Sequence, residues 1–325
     1  MNNYCIDNVN KIVSRVEKDF KSLKIGIKLE ELFNKNGKYI FIATGSTYIV
    51  SLFWSKIVNI EYKCFTKAML PRDFIYSNYD NVDKIIVFSY SGLTKDILEA
   101  IRKVSKEKLL IVTKGDIKLV KASYNVKKDN IISFYSTDIE NGFINFEASI
   151  FPCMLLLNSI VNDVNIKLLK RLIDKWNNYF DKLFSNNDLK NFFKSNINIF
   201  YGDMATVGAF DIENKLIESG ICNCILHEKK NFSHGRYVLF ENRVNNNIYF
   251  KEKDVSKYES ALLEYIKNDN NIIVESEYNN YLCEFDLLVA SMILIKYIGD
   301  LLNIDPSNPT NFFSGEKLYE YSGNL

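Results

Sequence analysis

The chain has 325 residues, 47% apolar and 25% charged, with a formal net charge of +1. This length favours two domains over one. Because the net charge is close to zero, no global field attracts nucleic acid or an anionic membrane, and neither partner is expected. The longest apolar runs are far shorter than the roughly 20 residues of a membrane span. The first residues lack the pattern of a signal peptide, so the sequence predicts a cytoplasmic protein.

Cysteine and histidine are too few and too scattered for a metal centre. The chain has six cysteines and two histidines, and Cys222 and Cys224 are the only close pair. A structural zinc site needs four such ligands. We therefore expect no metal and no cofactor, and we expect the cysteines to be reduced residues of the core.

The first half of the chain alternates helical patterns with short, wholly apolar runs. A helix is predicted from Asn8 to Phe33, where apolar residues recur at helical spacing. The apolar runs are typical of buried parallel strands. These predicted strands are Lys38–Ala43, Lys84–Ser89, Leu109–Thr113 and Asn130–Phe134. Strands that alternate with helices at this spacing indicate an α/β fold with a mainly parallel sheet flanked by helices.

The pattern then starts again after a long amphipathic helix predicted at Asn165–Phe184. Further helices are predicted at Thr206–Ser219 and Glu284–Leu302. The strands predicted between them are Ile221–Leu226, Asn247–Phe250 and Asn271–Val274, after a first strand at Asn198–Gly202. We therefore predict two tandem αβα domains. The expected limits are an N-terminal helix at 1–35, domains at 36–185 and 186–302, and an irregular tail at 303–325.

Two segments rich in hydroxyl groups follow two of the predicted strands. They are Gly45-Ser46-Thr47 and Ser89-Tyr90-Ser91-Gly92-Leu93-Thr94, and each leads into a helix. Ligands of open parallel sheets bind beyond the carboxyl ends of the strands. Serine and threonine hydroxyls and the first N–H groups of a helix suit a phosphate. The alternative is that these residues only cap their helices; two such segments, each with glycine, favour an anion site.

The second segment resembles the Ser-x-Ser-Gly-x-Thr phosphate loop of the SIS (sugar isomerase) family. The first resembles that family's first loop, and Glu140-Asn141-Gly142-Phe143 resembles its Glu-x-Gly segment beside the sugar. The resemblance implies two tandem SIS domains that bind a sugar phosphate, with Gly45, Gly92 and Phe143 also in the substrate site. It assigns the phosphate to the hydroxyls of Ser46, Thr47, Ser89, Ser91 and Thr94.

A further resemblance concerns catalysis. Lys215-Leu216-Ile217-Glu218, followed at a fixed spacing by His234-Gly235, is similar to a segment in the isomerase domain of glucosamine-6-phosphate synthase. The resemblance implies that Glu218 moves a proton between C1 and C2, that His234 assists ring opening and that Lys215 belongs to the same site. In that architecture the histidine commonly comes from a partner subunit, which implies a homodimer with shared sites. The alternative is an exposed helical Lys–Glu pair and a surface histidine.

Two departures from the family limit this assignment. The tail lysine of the family is absent at its aligned position, and Lys317 is the candidate replacement. The second domain has Gly202-Asp203 where a phosphate would bind, so one phosphate site per chain is expected. The sequence thus predicts an isomerase, deaminase or deglycase acting on a hexose or amino-sugar 6-phosphate. A non-catalytic sugar-phosphate sensor is the alternative, and a transferase or lyase that uses the same loops is a third possibility.

Overall fold

The structure is a computed structural model, which describes residues 3–25, 28–77, 80–136, 138–161, 164–186, 189–241 and 243–309. The chain divides into two compact units. The six-stranded unit is formed by Lys11–Glu140 and Asn145–Ile166. The four-stranded unit is formed by Met1–Asn10, Asn141–Ile144 and Lys167–Thr310.

From the N-terminus to the helix that follows the six-stranded sheet, helices and strands alternate, as the sequence predicts. In chain order they are α1 (Tyr4–Ser22), β1 (Lys24–Ile25), α2 (Leu29–Leu32), β2 (Lys38–Ile42), α3 (Tyr48–Tyr62), β3 (Phe65–Met69), α4 (Pro71–Ile75), β4 (Lys84–Phe88), α5 (Lys95–Ala100), β5 (Leu109–Thr113), α6 (Ile117–Tyr124), β6 (Ile131–Ser133) and α7 (Glu147–Ile160). The strand order in the sheet is β1-β6-β5-β4-β2-β3. All neighbours are parallel except β1 and β6.

This strand order contains a point where the winding of the chain reverses. From β2 the chain moves outward to β3, and it then crosses back to β4 on the other side of β2. Strands β2 and β4 are therefore direct neighbours, with Ile42 opposite Val87. A doubly wound sheet opens a crevice beyond its strands at such a reversal, and ligands bind there.

Apolar side chains cover both faces of the six-stranded sheet. On one face Ile40, Ile85 and Ile111 lie in a continuous buried cluster. On the other face the rings of Phe41 and Phe88 stack at 6.3 Å. A strand buried on both faces has no solvent-facing side, which explains why these strands are wholly apolar in sequence.

The four-stranded unit repeats the same winding. Its elements are α8 (Ile166–Asn186), β7 (Ile197–Tyr201), α9 (Val207–Glu218), β8 (Cys224–Glu228), α10 (Lys229–Phe232), β9 (Asn246–Lys251), α11 (Lys257–Tyr265), β10 (Asn270–Glu275) and α12 (Leu282–Leu302). The strands are all parallel, in the order β10-β9-β7-β8. The α/β class and the flanked parallel sheets predicted from the sequence are confirmed.

The first predicted helix differs from the structure. Helix α1 ends at Ser22 instead of continuing to Phe33, and the chain then forms β1. Strand β1 pairs with β6, with Lys24 opposite Ser133. This pairing with a strand far along the chain overrides the local helical pattern. Among the helices that the structure describes, none is long and apolar enough to cross a membrane.

Candidate functional site

The two hydroxyl-rich segments follow adjacent strands at the reversal of the six-stranded sheet. Loop 1 (Thr44–Thr47) comes after β2, and loop 2 (Ser89–Thr94) comes after β4. Because β2 and β4 are parallel neighbours, both loops lie at the same edge of the sheet. The crevice expected at a reversal is therefore bordered by the two segments whose composition predicts an anion site.

Loop 1 turns sharply into α3. Gly45 has φ +58°, a left-handed conformation that favours glycine, and no atom lies within 4 Å of a side chain added there. The Thr47 hydroxyl donates to the carbonyl oxygen of Thr44 at 2.7 Å, which fixes the turn. The Ser46 hydroxyl has no hydrogen-bond partner among the described residues. It is therefore available to a ligand at the start of α3.

Loop 2 holds three hydroxyls within one tight turn. The hydroxyl oxygens of Ser89 and Thr94 lie 2.9 Å apart, and the Ser91 hydroxyl oxygen accepts from the amide of Leu93 at 3.2 Å. Gly92 has φ +73°, and a Cβ there would lie 2.4 Å from a methyl of Val120. The turn therefore needs glycine for its conformation and for space. An accepting Ser91 hydroxyl keeps its own proton free to donate to an anion.

A buried cluster of charges lies directly behind loop 2. The ammonium of Lys114, which follows β5, contacts the carboxylates of Glu147 and Asp19. The backbone amide of Lys114 donates to the carbonyl oxygen of Tyr90 at 3.1 Å, and the Tyr90 hydroxyl donates to Glu147 at 3.4 Å. Burial and the neighbouring Glu147 raise the pKa of Asp19 to about 9. The cluster thus holds loop 2 through Tyr90 and stores a proton on one of its carboxyl groups.

The sequence-based predictions do not include this cluster, although two positions in the sequence point to it. Lys114 directly follows a predicted buried strand, and Asp19 lies among apolar residues of the first helical pattern. Charged residues in such positions are rarely buried unless they are paired. Pairing across 95 residues is a tertiary fact that spacing along the chain does not reveal.

The Glu140 carboxylate serves as a helix cap. One of its oxygens accepts from the amides of Phe146 and Glu147, at 2.8 and 3.0 Å, at the start of α7. Burial and the nearby Glu147 carboxylate raise the pKa of Glu140 to about 8. Phe143 belongs to the four-stranded unit, where its amide donates to the carbonyl oxygen of Ser307 at 2.7 Å and its side chain is 44% exposed.

Lys215 and Glu218 lie in the last turns of α9, in the four-stranded unit. Lys215 is buried and pairs with Asp211, one turn earlier, which also accepts from the Ser291 hydroxyl. The alternative of an exposed Lys–Glu pair is therefore wrong for Lys215. Glu218 is half-buried; burial raises its pKa, and the positive charge of Lys215 opposes that rise. A carboxyl group shifted toward neutral pH is better suited to accept and return a proton.

His234 is exposed in the segment after α10. Its amide donates to the carbonyl oxygen of Asn231 at 3.1 Å, and Gly235 follows with φ +102°. Within the described chain, no hydrogen bond or ion pair joins His234 to Glu218. The structure thus brings together Gly45, Ser46, Thr47, Ser89, Ser91, Gly92 and Thr94 at one edge of the six-stranded sheet, while Phe143, Lys215, Glu218 and His234 belong to the four-stranded unit. Lys317 lies outside the described residues.

At the equivalent edge of the four-stranded sheet, carboxylates of the chain itself occupy the backbone donors. Glu284 accepts from the amides of Thr206 and Val207, at 3.0 and 2.7 Å, at the start of α9. Glu252 accepts from the amide of Met204 at 2.5 Å. These N–H groups are the ones that an anion would use. The arrangement supports the prediction of a single phosphate site per chain.

No family model and no curated protein matches the sequence. Solved structures do match it. The C-terminal domain of glucosamine-fructose-6-phosphate aminotransferase from Francisella tularensis is 16% identical with a TM-score of 0.70, over 95% of this chain and 99% of that one. Glucosamine-6-phosphate deaminase from Thermotoga maritima is 15% identical with a TM-score of 0.70, over 95% and 98%. At these identities the likeness shows the fold alone, which is the SIS fold of the matching structures.

Proposed function

We propose that this protein is an enzyme that isomerises, deaminates or deglycates a hexose or amino-sugar 6-phosphate by proton transfer at C1 and C2. The observation that carries the proposal is the pair of hydroxyl-rich loops at the reversal of the six-stranded sheet. Two neighbouring strand ends supply the hydroxyls of Ser46, Ser89, Ser91 and Thr94 in one place. The matching solved structures include a domain of a glucosamine-fructose-6-phosphate aminotransferase and a glucosamine-6-phosphate deaminase. Their names support the same substrate class.

In the proposed reaction the loops hold the phosphate, and a carboxylate moves the proton. We assign the proton transfer to Glu218, which takes the proton from the carbon next to the carbonyl and returns it to the neighbouring carbon. Burial raises its pKa, so proton uptake occurs closer to neutral pH than for a free carboxyl group. His234 is assigned to ring opening because its imidazole is exposed and can both donate and accept a proton.

Lys215 has a supporting role in this proposal. Its ammonium is held by Asp211, and its charge limits how far the pKa of Glu218 rises. Lys317 stays a candidate catalytic residue, as the replacement for the active-site lysine that the family carries in its tail. A cytoplasmic homodimer with shared sites is part of the proposal. The sensor, transferase and lyase alternatives have no observation of their own in their favour.

Solvent deuterium exchange tests the proposal directly. The protein is incubated in D₂O with fructose 6-phosphate, glucosamine 6-phosphate and a fructosamine 6-phosphate, and the carbon-bound protons are followed by NMR. A base that forms an enediol or enamine exchanges the C1 or C2 proton with solvent. Glu218→Gln is expected to abolish the exchange.

The matched control is Glu213→Gln. Glu213 lies on the same helix, and burial raises its pKa too, so it reports on any general effect of removing a carboxyl group from α9. Exchange that is lost equally in both variants contradicts the assignment of Glu218. Binding of the sugar phosphates without any exchange contradicts the proposal that the protein is an enzyme and favours the alternative of a sugar-phosphate sensor.

A further inference from the structure

Two cysteines lie close together just beyond α9. Cys222 and Cys224 are separated by Asn223, and their sulfur atoms are 3.9 Å apart. Both are half-buried, whereas Cys5, Cys64, Cys153 and Cys283 are buried. The sequence-based expectation that the cysteines are all core residues is therefore wrong for this pair.

The backbone holds the two side chains on one side of the segment. The carbonyl oxygen of Asn223 accepts from the amide of Ile197 at 3.0 Å, and Cys224 opens β8, which is an edge strand of its sheet. In an extended segment, alternate side chains point to the same face. Asn223 itself is exposed on the other side. The pairing thus keeps both sulfurs facing each other.

This spacing permits a disulfide, but only at the edge of the usual geometry. Two residues apart in an extended chain, the Cα atoms are about 6.6 Å apart. Disulfides usually join Cα atoms separated by about 4.4–6.8 Å. The sulfurs need to approach by roughly 2 Å and the Cβ atoms need to come within about 4.5 Å of each other, so the segment has to bend at Asn223 as the bridge closes. A bridge formed at the limit of this range is readily reduced again, as are regulatory disulfides.

The pair is accessible and chemically asymmetric. Cys222 lines an open cavity of about 340 Å³, together with Gly220, Ile221 and the cationic Lys194. The hydrogen bond between the two thiols lowers the pKa of Cys222 and raises that of Cys224. Because Cys222 is the cysteine that lines the cavity, an oxidant reaches it first, with Cys224 beside it to resolve the product.

We propose that Cys222 and Cys224 are a reversible redox pair, which a hydroperoxide oxidises to an intramolecular disulfide. In the first step the Cys222 thiolate attacks a peroxide oxygen, the O–O bond breaks, and a sulfenic acid forms; with hydrogen peroxide, one water leaves after protonation. In the second step the Cys224 sulfur attacks the Cys222 sulfur, the S–O bond breaks, and a second water leaves. The two thiols lose two electrons and two protons, and the peroxide is reduced to two waters.

The two residues that precede Cys222 are joined to the end of α9 by backbone hydrogen bonds. The amides of Gly220 and Ile221 donate to the carbonyl oxygens of Ile217 and Leu216, at 2.9 and 3.0 Å. We expect closure of the disulfide to disturb these hydrogen bonds. Because the last turn of α9 carries Glu218, oxidation is expected to lower the proposed activity. The expected loss of activity on oxidation rests on the proposed function, whereas the redox pair itself does not.

Mass spectrometry tests the pair without any measurement of activity. Trypsin releases one peptide, Leu216–Lys229, that contains both cysteines and no other. After treatment of the folded protein with a modest excess of hydrogen peroxide, this peptide is expected to be about 2 Da lighter and to return to its first mass with dithiothreitol. An unchanged peptide, or a disulfide between two chains, overturns the proposal.

Single variants test the order of the two steps. In Cys224→Ser the first step has no resolving thiol, so dimedone is expected to trap a sulfenic acid on Cys222. In Cys222→Ser the label on Cys224 is expected to be several-fold weaker, because Cys222 lines the open cavity and Cys224 is not among its lining residues. Equal labelling of the two variants contradicts the assigned roles. Circular dichroism of both variants checks that each is folded.

Discussion

The hydroxyl oxygens of Ser89 and Thr94 lie 2.9 Å apart across loop 2. The two residues are the first and last of the six-residue turn, so their contact closes it. Ser91, between them, is left exposed at the turn. A turn closed in this way presents the Ser91 hydroxyl without the cost of ordering the loop when a ligand arrives.

Removal of one hydroxyl from loop 2 is expected to weaken phosphate binding. Ser91→Ala should raise the Kd for a sugar phosphate about tenfold, because a hydrogen bond to a charged group contributes about 1.5 kcal/mol or more. Isothermal titration calorimetry measures this. Ser77→Ala is the matched control, since Ser77 is a half-buried serine of the same unit that lies outside both loops and near Ile85, at the start of β4. Equal affinity of the two variants contradicts the placement of the phosphate.

The glycines of the two loops are expected to differ in their tolerance of a side chain. Gly92→Ala meets both a left-handed backbone and a Val120 methyl at 2.4 Å, whereas Gly45→Ala meets the backbone strain alone. Backbone strain costs about 1–2 kcal/mol. Gly92→Ala should therefore lower the free energy of unfolding by clearly more than Gly45→Ala. Urea unfolding checks this, and equal losses would show that loop 2 relaxes freely around Val120.

Asp19 is expected to make the protein less stable as the pH rises. Burial and Glu147 raise its pKa to about 9, so the folded state holds a proton that the unfolded chain releases near pH 4. Its contribution is fully present below about pH 4 and is lost as the pH rises through about 9. Asp19→Asn, which mimics the protonated form, should flatten the decline of the free energy of unfolding between pH 5 and 9.

Asp138 is expected to have the opposite effect on the pH dependence of stability. Hydrogen bonds from Lys18 and Arg15 hold its pKa below the ordinary value. Its contribution is present above about pH 4 and is lost as the pH falls through its lowered pKa. Asp138→Asn should therefore lower the free energy of unfolding by a constant amount above about pH 4 and change the slope of the stability profile only on its acid side. If the free energy of unfolding of Asp19→Asn runs parallel to that of the wild type up to pH 9, Asp19 does not hold the proton assigned to it.

The buried Lys215–Asp211 pair is expected to show strong coupling. Lys215→Met leaves the Asp211 carboxylate buried beside Ser291 without its cation and should lower the free energy of unfolding by about 3 kcal/mol. The double variant with Asp211→Asn should recover most of that loss, since no unpaired charge remains. A double-mutant cycle in urea measures the coupling, and additive effects of the two changes would show that the pair is not a unit.

The central strands were predictable because burial on both faces leaves a wholly apolar run, as in Leu109–Thr113. Strand β3 was not predicted. It is an edge strand in which Phe65 is 55% exposed and Lys67 is also exposed, so its composition is not that of a buried strand. The short β1 was hidden for another reason, since only its pairing with β6 distinguishes it from the end of a helix.

The loops of the candidate site were predictable because their function depends on local composition. Serine, threonine and glycine are needed at fixed offsets after a strand, and the sequence shows them directly. The buried charges were not predictable, since Asp19, Lys114 and Glu147 come from three separate parts of the chain. The same holds for Lys215, whose burial depends on Asp211 and on Ser291 from α12.

Glu284 and Glu252 act on the second sheet edge as tethered ligands. A carboxylate carried by the chain itself reaches its amide donors at an effective concentration far above that of any free metabolite. Dissolved phosphate therefore cannot displace it, however abundant the substrate. Two sheets with the same winding thus differ at their ligand-binding edges, because one edge is open to solutes and the other is occupied by side chains of the chain itself. At the occupied edge, the hydrogen bonds that could hold a ligand instead join the start of α9 to α12.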